Sequence, residues 1–144
     1  MIIEYEKSWQ AKLLAIGHKM HLESRYNKFK FDEAKIIKLL DSKQACVLLK
    51  IQDNKIIGFF LGIVAPQWFG SDLSGYDLGL YIDKEYRGGT TAMRFMKKFE
   101  EYCKKAGAKD IVLGSSAEIS TDIARRLYTG LGYKECGFLA HKEI

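Results

Sequence analysis

The residues best suited to chemistry lie in the stretch YRGGTTAMRF at positions 86–95, which joins an apolar strand-like run to a long helical pattern. A helix N-terminus presents unpaired backbone N–H groups at the positive end of the helix dipole, where phosphate binds well. Gly88 and Gly89 allow close backbone approach and positive φ. Hydroxyl and charge-assisted contacts can come from four neighbours: Thr90, Thr91, Arg87 and Arg94. The stretch therefore predicts a phosphate-binding loop.

A purely structural interpretation of the same stretch is also open. The chain has no GxxxxGK[S/T] motif, and the spacing of its glycines is not GxGxxG. A glycine turn closed by a threonine cap would account for the local residues equally well. The local pattern alone does not choose between a phosphate loop and a turn.

A metal site is not predicted. His18 and His21 lie three residues apart on a predicted helix, a spacing that can hold a metal, but no carboxylate pair or third ligand follows, so surface side chains are favoured. The three cysteines are widely spaced and form no CxxC pair. This pattern indicates reduced thiols, mostly in the core: Cys46, Cys103 and Cys136.

The composition indicates one globular domain over residues 1–144, with 47% hydrophobic and 28% charged residues. The net charge of +5 suits an anionic ligand. Lysines alternate with acids, as in KKFEEYCKK at 97–105, so nucleic-acid binding is not favoured. No run reaches the ~18 apolar residues of a membrane span, and the N-terminus lacks a signal pattern, so cytoplasmic residence is expected.

The hydrophobic periodicity predicts the elements that must position these residues. Asp53 and Asn54 separate two β-rich runs, which is a hairpin signal. In the first half we predict helices at 5–22 and 31–42, the second capped by Asp32, strands at 44–52, 55–65 and 78–83, and an aromatic, glycine-bearing loop at 66–77.

The second half continues with the clearest helix, at 91–106, whose apolar residues recur every three or four positions up to a stop at Gly107. Further predictions are a strand at 110–116, a helix at about 121–130 capped by Ser120 or Thr121, and one or two strands at 133–144. The step from 78 to 114 should be a parallel, right-handed crossover. The fold class is therefore α/β: a mixed antiparallel and parallel sheet with helices on both faces.

Two longer segments resemble the GNAT superfamily of N-acetyltransferases. In that family a strand feeds a loop of pattern (Arg/Gln)-x-x-Gly-x-(Gly/Ala), which binds the pyrophosphate of acetyl-coenzyme A. Here the loop runs from Arg87 to Ala92, with Thr90 at the usual central glycine. The segment IARRLYTGLGY at 123–133 is similar to the family's Ala-x-x-(Leu/Phe)-Tyr-x-x-Leu-Gly-(Phe/Tyr) pattern. RGGTTA and HLES (21–24) also resemble a subgroup common in phage genomes.

The resemblance implies acetyl-CoA as cosubstrate and an amine-bearing small molecule or protein as acceptor. The glycine-bearing strand would pair with the pantetheine arm by strand addition. The residues expected to contact the coenzyme are Leu80, Tyr81, Ile82, Arg87, Gly88, Gly89, Thr90, Thr91, Ala92, Thr121 and Tyr128. Because Thr90 replaces a glycine, we expect Gly88 and Gly89 to allow the close approach. A homodimer is compatible with this picture.

The resemblance also assigns catalytic roles. The Ile82 N–H would donate to the thioester carbonyl as it gains charge, and Tyr128 would act as general acid or stabilise the departing sulfur. No general base is evident. Four carboxylates are candidates by location, although an ordinary solvated carboxylate is favoured for each: Glu23, Asp77, Asp83 and Glu85. In several family members water relays this proton. Trp68 and Phe69 could equally wall the acceptor site or pack under their own loop. The alternative function is a non-catalytic acyl-CoA-binding or regulatory module.

Overall fold

The computed structural model describes residues 1–115, 119 and 121–144. The order of strands and helices is close to the expected one. In chain order they are β1 (Ile2–Glu4), α1 (Gln10–Glu23), α2 (Glu33–Leu40), β2 (Ala45–Gln52), β3 (Lys55–Pro66), β4 (Leu73–Ile82), α3 (Thr91–Lys105), β5 (Asp110–Val112) and α4 (Thr121–Gly130), with short 3-10 turns at Lys7–Trp9 and Lys84–Tyr86.

The five strands form one sheet in the order β1-β2-β3-β4-β5. The first four strands pair antiparallel, and β4 pairs parallel with β5 through residues Ser74 to Tyr76. A parallel pair needs a crossover connection, and α3 supplies it. The predicted mixed sheet is confirmed.

The turn between β2 and β3 shows why this hairpin forms. Asp53 and Asn54 have φ of 50° and 59°, which is the left-handed region at both central positions of a two-residue loop. Such turns match the right-handed twist of the flanking strands, and Asp and Asn tolerate this region best after glycine. The predicted turn is confirmed.

Two of the helix ends that the sequence marks are also confirmed. The Asp32 side chain accepts a hydrogen bond from the Lys35 N–H at 3.3 Å and so caps α2. Gly107 follows α3 with φ of +81°, a conformation that disfavours residues with a Cβ. These local signals place the two helices without help from the rest of the fold.

Helices cover both faces of the sheet, as expected, because side chains alternate along its strands. One buried cluster lies under α1 and α2: Leu13, Ile16, Leu40, Val47, Leu49, Ile56, Phe59 and Tyr81. The other lies under α3: Cys46, Leu48, Phe60, Val64, Phe95, Met96, Phe99 and Cys103. Burying one large apolar side chain contributes about 1.5–3 kcal/mol, so the two clusters hold the helices to the sheet.

A β-bulge in β4 changes which side chains face each layer. Gly62 pairs with Asp77, but Leu61 pairs with Gly79, so Leu78 is the extra residue. A Cβ on Gly75 would meet Cys103 under α3, whereas one on Gly79 would meet Met20 of α1. Because of the bulge, the side chains of Asp77 and Tyr81 point to opposite faces of the sheet, although the two residues are an even number of positions apart. Bulges of this kind often lie beside active sites.

Four predictions of secondary structure need correction. The strand predicted at 110–116 ends already at Val112. Residues Ile2–Glu4 form an unpredicted edge strand on β2, and Tyr5 continues the pairing by donating to the Val47 carbonyl, so α1 begins later than expected. β4 begins at Leu73, which shortens the predicted loop. Residues 133–144 form no strand, because no strand edge pairs with them in the described part of the chain.

Candidate active site

The connection from β4 to α3 forms an exposed loop whose backbone suits an anion. Gly88 has φ of +95°, and a Cβ on either Gly88 or Gly89 would meet nothing within 4 Å. Thr90 has an ordinary φ of −97° and is the N-cap residue of α3, although its side chain makes no capping bond. Gly88 alone therefore supplies the positive φ in this loop, and a β-branched residue at Thr90 fits without strain.

The loop also leaves backbone donors available. The first helical hydrogen bond of α3 runs from the Arg94 N–H to the Thr90 carbonyl at 3.0 Å. Within the described chain, no protein acceptor bonds the N–H groups of residues 88–93. These groups lie at the positive end of a 15-residue helix, which is the arrangement that binds phosphate oxygens.

The edge of β4 beyond Tyr76 is open on its β5 side. The Asp83 N–H donates to the Ile57 carbonyl of β3 at 2.9 Å. Because every second residue of a strand directs its backbone groups to the same neighbour, the N–H and C=O groups of Tyr81 and Gly79 also point toward β3. Leu80 and Ile82 therefore direct their N–H and C=O groups away from β3. The pairing with β5 ends at Tyr76, and these groups line the gap between the two strands.

Arg87 is held by β4 and α1. Its Nε donates to the Ile82 carbonyl at 2.6 Å, and its two terminal nitrogens donate to the two Glu23 carboxylate oxygens at 2.9 and 3.1 Å. Tyr81 donates its phenol proton to Glu23 at 2.9 Å and lies under the guanidinium, 5.2 Å from ring centre to Arg87 Cζ. The structure thus joins three predicted site residues at the end of β4.

The charges in this group support each other. The Arg87 guanidinium lowers the pKa of Glu23 despite partial burial, and the Tyr81 hydrogen bond lowers it further. Burial and the neighbouring Glu23 carboxylate raise the pKa of Tyr81 to about 12. Glu23 therefore stays ionised and Tyr81 stays protonated over the physiological range.

A second group lies in the gap between β4 and β5. Asp77 accepts a hydrogen bond from the Gly114 N–H at 3.0 Å, just after β5. Tyr128 of α4 donates its phenol proton toward the Gly114 carbonyl at 3.4 Å and also contacts Asp77. Two residues that are 51 positions apart, Asp77 and Tyr128, thus meet where the strands separate.

Burial dominates the electrostatics of this second group. It raises the pKa of Asp77 to about 6, and the Gly114 N–H and the nearby Tyr128 phenol offset only part of that rise. Burial, with the nearby Asp77 carboxylate, also raises the pKa of Tyr128 well above its ordinary value. Asp77 is therefore poised to exchange a proton near neutral pH, which is the usual requirement for a general base.

The other predicted site residues lie apart from both groups. Trp68 and Phe69 are 94% and 72% exposed and contact each other edge-on, beside the start of β4. Neither ring packs beneath its loop, and their role as an acceptor wall stays a prediction. Thr121 is exposed at the first turn of α4, while Ser120, the alternative cap, lies outside the described residues. Glu85 is exposed in the 3-10 turn.

Sequence reasoning did not identify two participants. Lys19 of α1 forms an ion pair with Asp83 at 2.7 Å, and Gly114 supplies both backbone groups that bridge Asp77 and Tyr128. Lys19 precedes Glu23 by one helical turn, so the sequence could have indicated that both side chains lie on the same face of the helix. Gly114 takes part only through its backbone N–H and C=O groups, which every non-proline residue has, so its residue type could not indicate this role.

Two classes of site find no support in the described residues. Across positions 1–115, 119 and 121–144, no group of three His, Cys, Asp or Glu side chains is arranged to hold a metal. No helix in the same positions is both long and apolar enough to cross a membrane.

The mixed sheet thus has an open β4–β5 edge, followed by a loop whose backbone donors suit an anion. The sequence model of the Acetyltransferase (GNAT) family matches residues 8–133. The chain therefore belongs to the GNAT acetyltransferase family, as its motifs indicated, and family members use acetyl-CoA as cosubstrate. No curated protein gives a significant match.

Solved structures share this fold. An acetyltransferase from Vibrio fischeri has 25% identity, with 78% of this chain and 93% of that one covered and a TM-score of 0.67. A ribosomal-protein-alanine N-acetyltransferase from Brucella melitensis has 14% identity, coverage of 100% and 99%, and a TM-score of 0.76. The aminoglycoside N-acetyltransferase AAC(6')-Iy, in complex with CoA, has 14% identity, coverage of 100% and 98%, and a TM-score of 0.76.

Proposed function

We propose that residues 1–144 act as one catalytic domain that transfers the acetyl group of acetyl-CoA to an amine of a small molecule or protein. The amine attacks directly, with both substrates bound together. The observation that carries this proposal is the meeting of Asp77 and Tyr128 in the gap beside the open edge of β4. Family membership supplies the donor, and this pair supplies groups for proton transfer.

The fit of the coenzyme rests on two features of the chain. The N–H groups of residues 88–93 have no protein acceptor in the described structure, so they are available to a pyrophosphate. The outward N–H and C=O groups of Leu80 and Ile82 are available to an extended amide chain, except that Arg87 already bonds the Ile82 carbonyl. Acetyl-CoA supplies the activated acetyl thioester.

The oxyanion donor is the N–H of Ile82, as the resemblance implies, or the N–H of Leu80 at the same open edge. Both groups point away from β3 and into the gap beside Asp77 and Tyr128. Leu80 lies three residues from Asp77 and Ile82 lies five, so Leu80 is the nearer of the two donors to this pair.

The proton balance follows from the two ionisable groups. Asp77, with a pKa of about 6, is mostly ionised at pH 7 and accepts the proton that the attacking amine loses. The tetrahedral intermediate then collapses, the C–S bond breaks, and the sulfur leaves as a thiolate. Tyr128 stabilises that thiolate through a hydrogen bond, because its raised pKa makes complete proton donation unfavourable. Solvent or protonated Asp77 can return the proton to the thiolate.

Two measurements test the proposal in sequence. Thermal-shift titration with CoA should stabilise the chain, by about 2.7 kcal/mol at 100 times the dissociation constant. Release of free thiol from acetyl-CoA, measured over a panel of amines, should then rise above the rate without amine. No stabilisation at millimolar CoA would overturn the proposal. Stabilisation without thiol release for any amine would favour the coenzyme-binding module instead.

A further inference from the structure

Two ion pairs connect α1 to the segment that follows β4. Lys19 bonds Asp83 at 2.7 Å, and Glu23 bonds Arg87 at 2.9 Å. Lys19 and Glu23 are four residues apart on α1, and their partners Asp83 and Arg87 are also four residues apart. One face of α1 therefore lies along the 3-10 turn Lys84–Tyr86 and contacts the residue on either side of it. This turn leads directly into the anion-suited loop.

The Glu23–Arg87 pair is the more enclosed of the two. Its side chains are 20% and 26% exposed, whereas Lys19 is 58% exposed. Its geometry is bidentate, and the Tyr81 ring and phenol complete its surroundings. A single exposed ion pair contributes little to stability. A bidentate, partly enclosed pair contributes more and also fixes the orientation of its two side chains.

Helix stability does not account for Glu23. It is the last residue of α1, where the negative end of the helix dipole disfavours a carboxylate. Its pKa is lowered because the hydrogen bonds from Arg87 and Tyr81 outweigh the effect of partial burial. The carboxylate is therefore stabilised at this position by Arg87 and Tyr81, outside its own helix.

All three guanidinium nitrogens of Arg87 have protein acceptors. Three of its nitrogens bond Glu23 and the Ile82 carbonyl, and the next residue is Gly88 with its φ of +95°. The guanidinium thus links α1, the end of β4 and the first residue of the loop. Contact with phosphate by this side chain would require the bonds to Glu23 to break.

We propose that Glu23 and Arg87 are positioning residues: the pair holds the start of the 88–93 loop against α1 and supports coenzyme binding without Arg87 touching phosphate. The inference rests on the proposed function, since it concerns the same coenzyme. The opposing possibility is that Arg87 leaves Glu23 for the pyrophosphate. The two possibilities predict opposite effects of removing the Glu23 charge.

The test is the dissociation constant of CoA, measured by calorimetry at pH 7.5. Glu23→Gln and Arg87→Gln should each weaken binding about tenfold, and the double variant should be no weaker than either single one, because each removes the same pair. Lys12→Met is the control on the same helix, because Lys12 donates to the Asn54 carbonyl in the β2–β3 turn, and it should change affinity less than threefold. Unchanged or tighter binding by Glu23→Gln would overturn the inference.

A charge exchange keeps the test decisive if single variants are unstable. Glu23→Arg with Arg87→Glu restores a pair of opposite charge and should recover part of the lost affinity, while the Michaelis constant for acetyl-CoA moves with the dissociation constant and kcat stays within about threefold. Loss of affinity without recovery would contradict a positioning role. Failure of the wild-type chain to bind CoA would instead overturn the proposed function, so the two failures are distinguishable.

Discussion

Glu23 at the end of α1 and Asp77 within β4 are both carboxylates of the candidate site, yet their pKa values are shifted in opposite directions. Glu23 has a guanidinium partner that lowers its pKa, whereas Asp77 has only neutral donors and burial raises its pKa to about 6. A carboxylate with a lowered pKa is suited to fixed charge, and one with a pKa raised toward neutrality is suited to proton transfer. This difference is the reason for proposing a positioning role for Glu23 and a part in the reaction for Asp77.

The largest expected effect comes from removing the proposed base. Asp77→Asn keeps an oxygen for the Gly114 N–H but cannot accept a proton, so kcat should fall about 10³-fold. In the wild type, kcat/KM should rise with pH through about 6 as Asp77 loses its proton, and the variant should lack this rise. A pH–rate profile checks both. An unchanged profile would assign the base elsewhere.

The next effect concerns the tyrosine in the same gap. Tyr128→Phe should lower kcat about 10²-fold, because the thiolate loses its hydrogen bond, while CoA affinity changes little. Tyr133→Phe is the matched control: its ring lies 6.2 Å from that of Tyr128, but its phenol donates to Glu100. Steady-state kinetics and calorimetry check the pair. Equal losses in both variants would remove the specific role of Tyr128.

The effects of substitution on the stability of the fold should also differ between Glu23 and Asp77, although they are smaller than the effects on the rate. The Glu23 pKa is lowered, so its contribution to stability is present above its unfolded pKa of about 4.3 and is lost as pH falls through the folded value. Glu23→Gln should therefore lower Tm at pH 7.

Asp77 should behave in the opposite way. Its folded pKa of about 6 exceeds the unfolded value, so ionised Asp77 lowers stability increasingly as pH rises from about 4 to above 6. Asp77→Asn should therefore raise Tm at pH 7.5 and leave it unchanged near pH 4. Thermal unfolding across pH checks both carboxylates. The same sign for both variants would contradict the comparison.

The smallest effect is expected for the exposed aromatic pair. Trp68→Ala and Phe69→Ala should change the free energy of unfolding by no more than about 0.5 kcal/mol, since both rings are largely exposed. If the pair also forms no part of the acceptor site, kinetic constants for a working amine should not change. A raised Michaelis constant for the amine alone would show that the rings bind the acceptor.

Much of the fold could be predicted because its signals are local. The Asp53-Asn54 turn, the Asp32 cap and the Gly107 stop each depend on a few adjacent residues. The edge strand at Ile2–Glu4 was missed because three residues carry no periodicity, and pairing with β2 decides their conformation. The predicted strand at 133–144 was wrong for the converse reason: strand-compatible residues do not form a strand without a partner.

The sequence by itself determined the family, the mixed sheet and the glycine-bearing loop, because these depend on residue type, spacing and local backbone preference. Only the tertiary structure decided that Arg87 lies on Glu23 and that Asp77 meets Tyr128, because both contacts join distant positions. It also decided the direction of each pKa shift, since burial and charge partners exist only once the chain has packed.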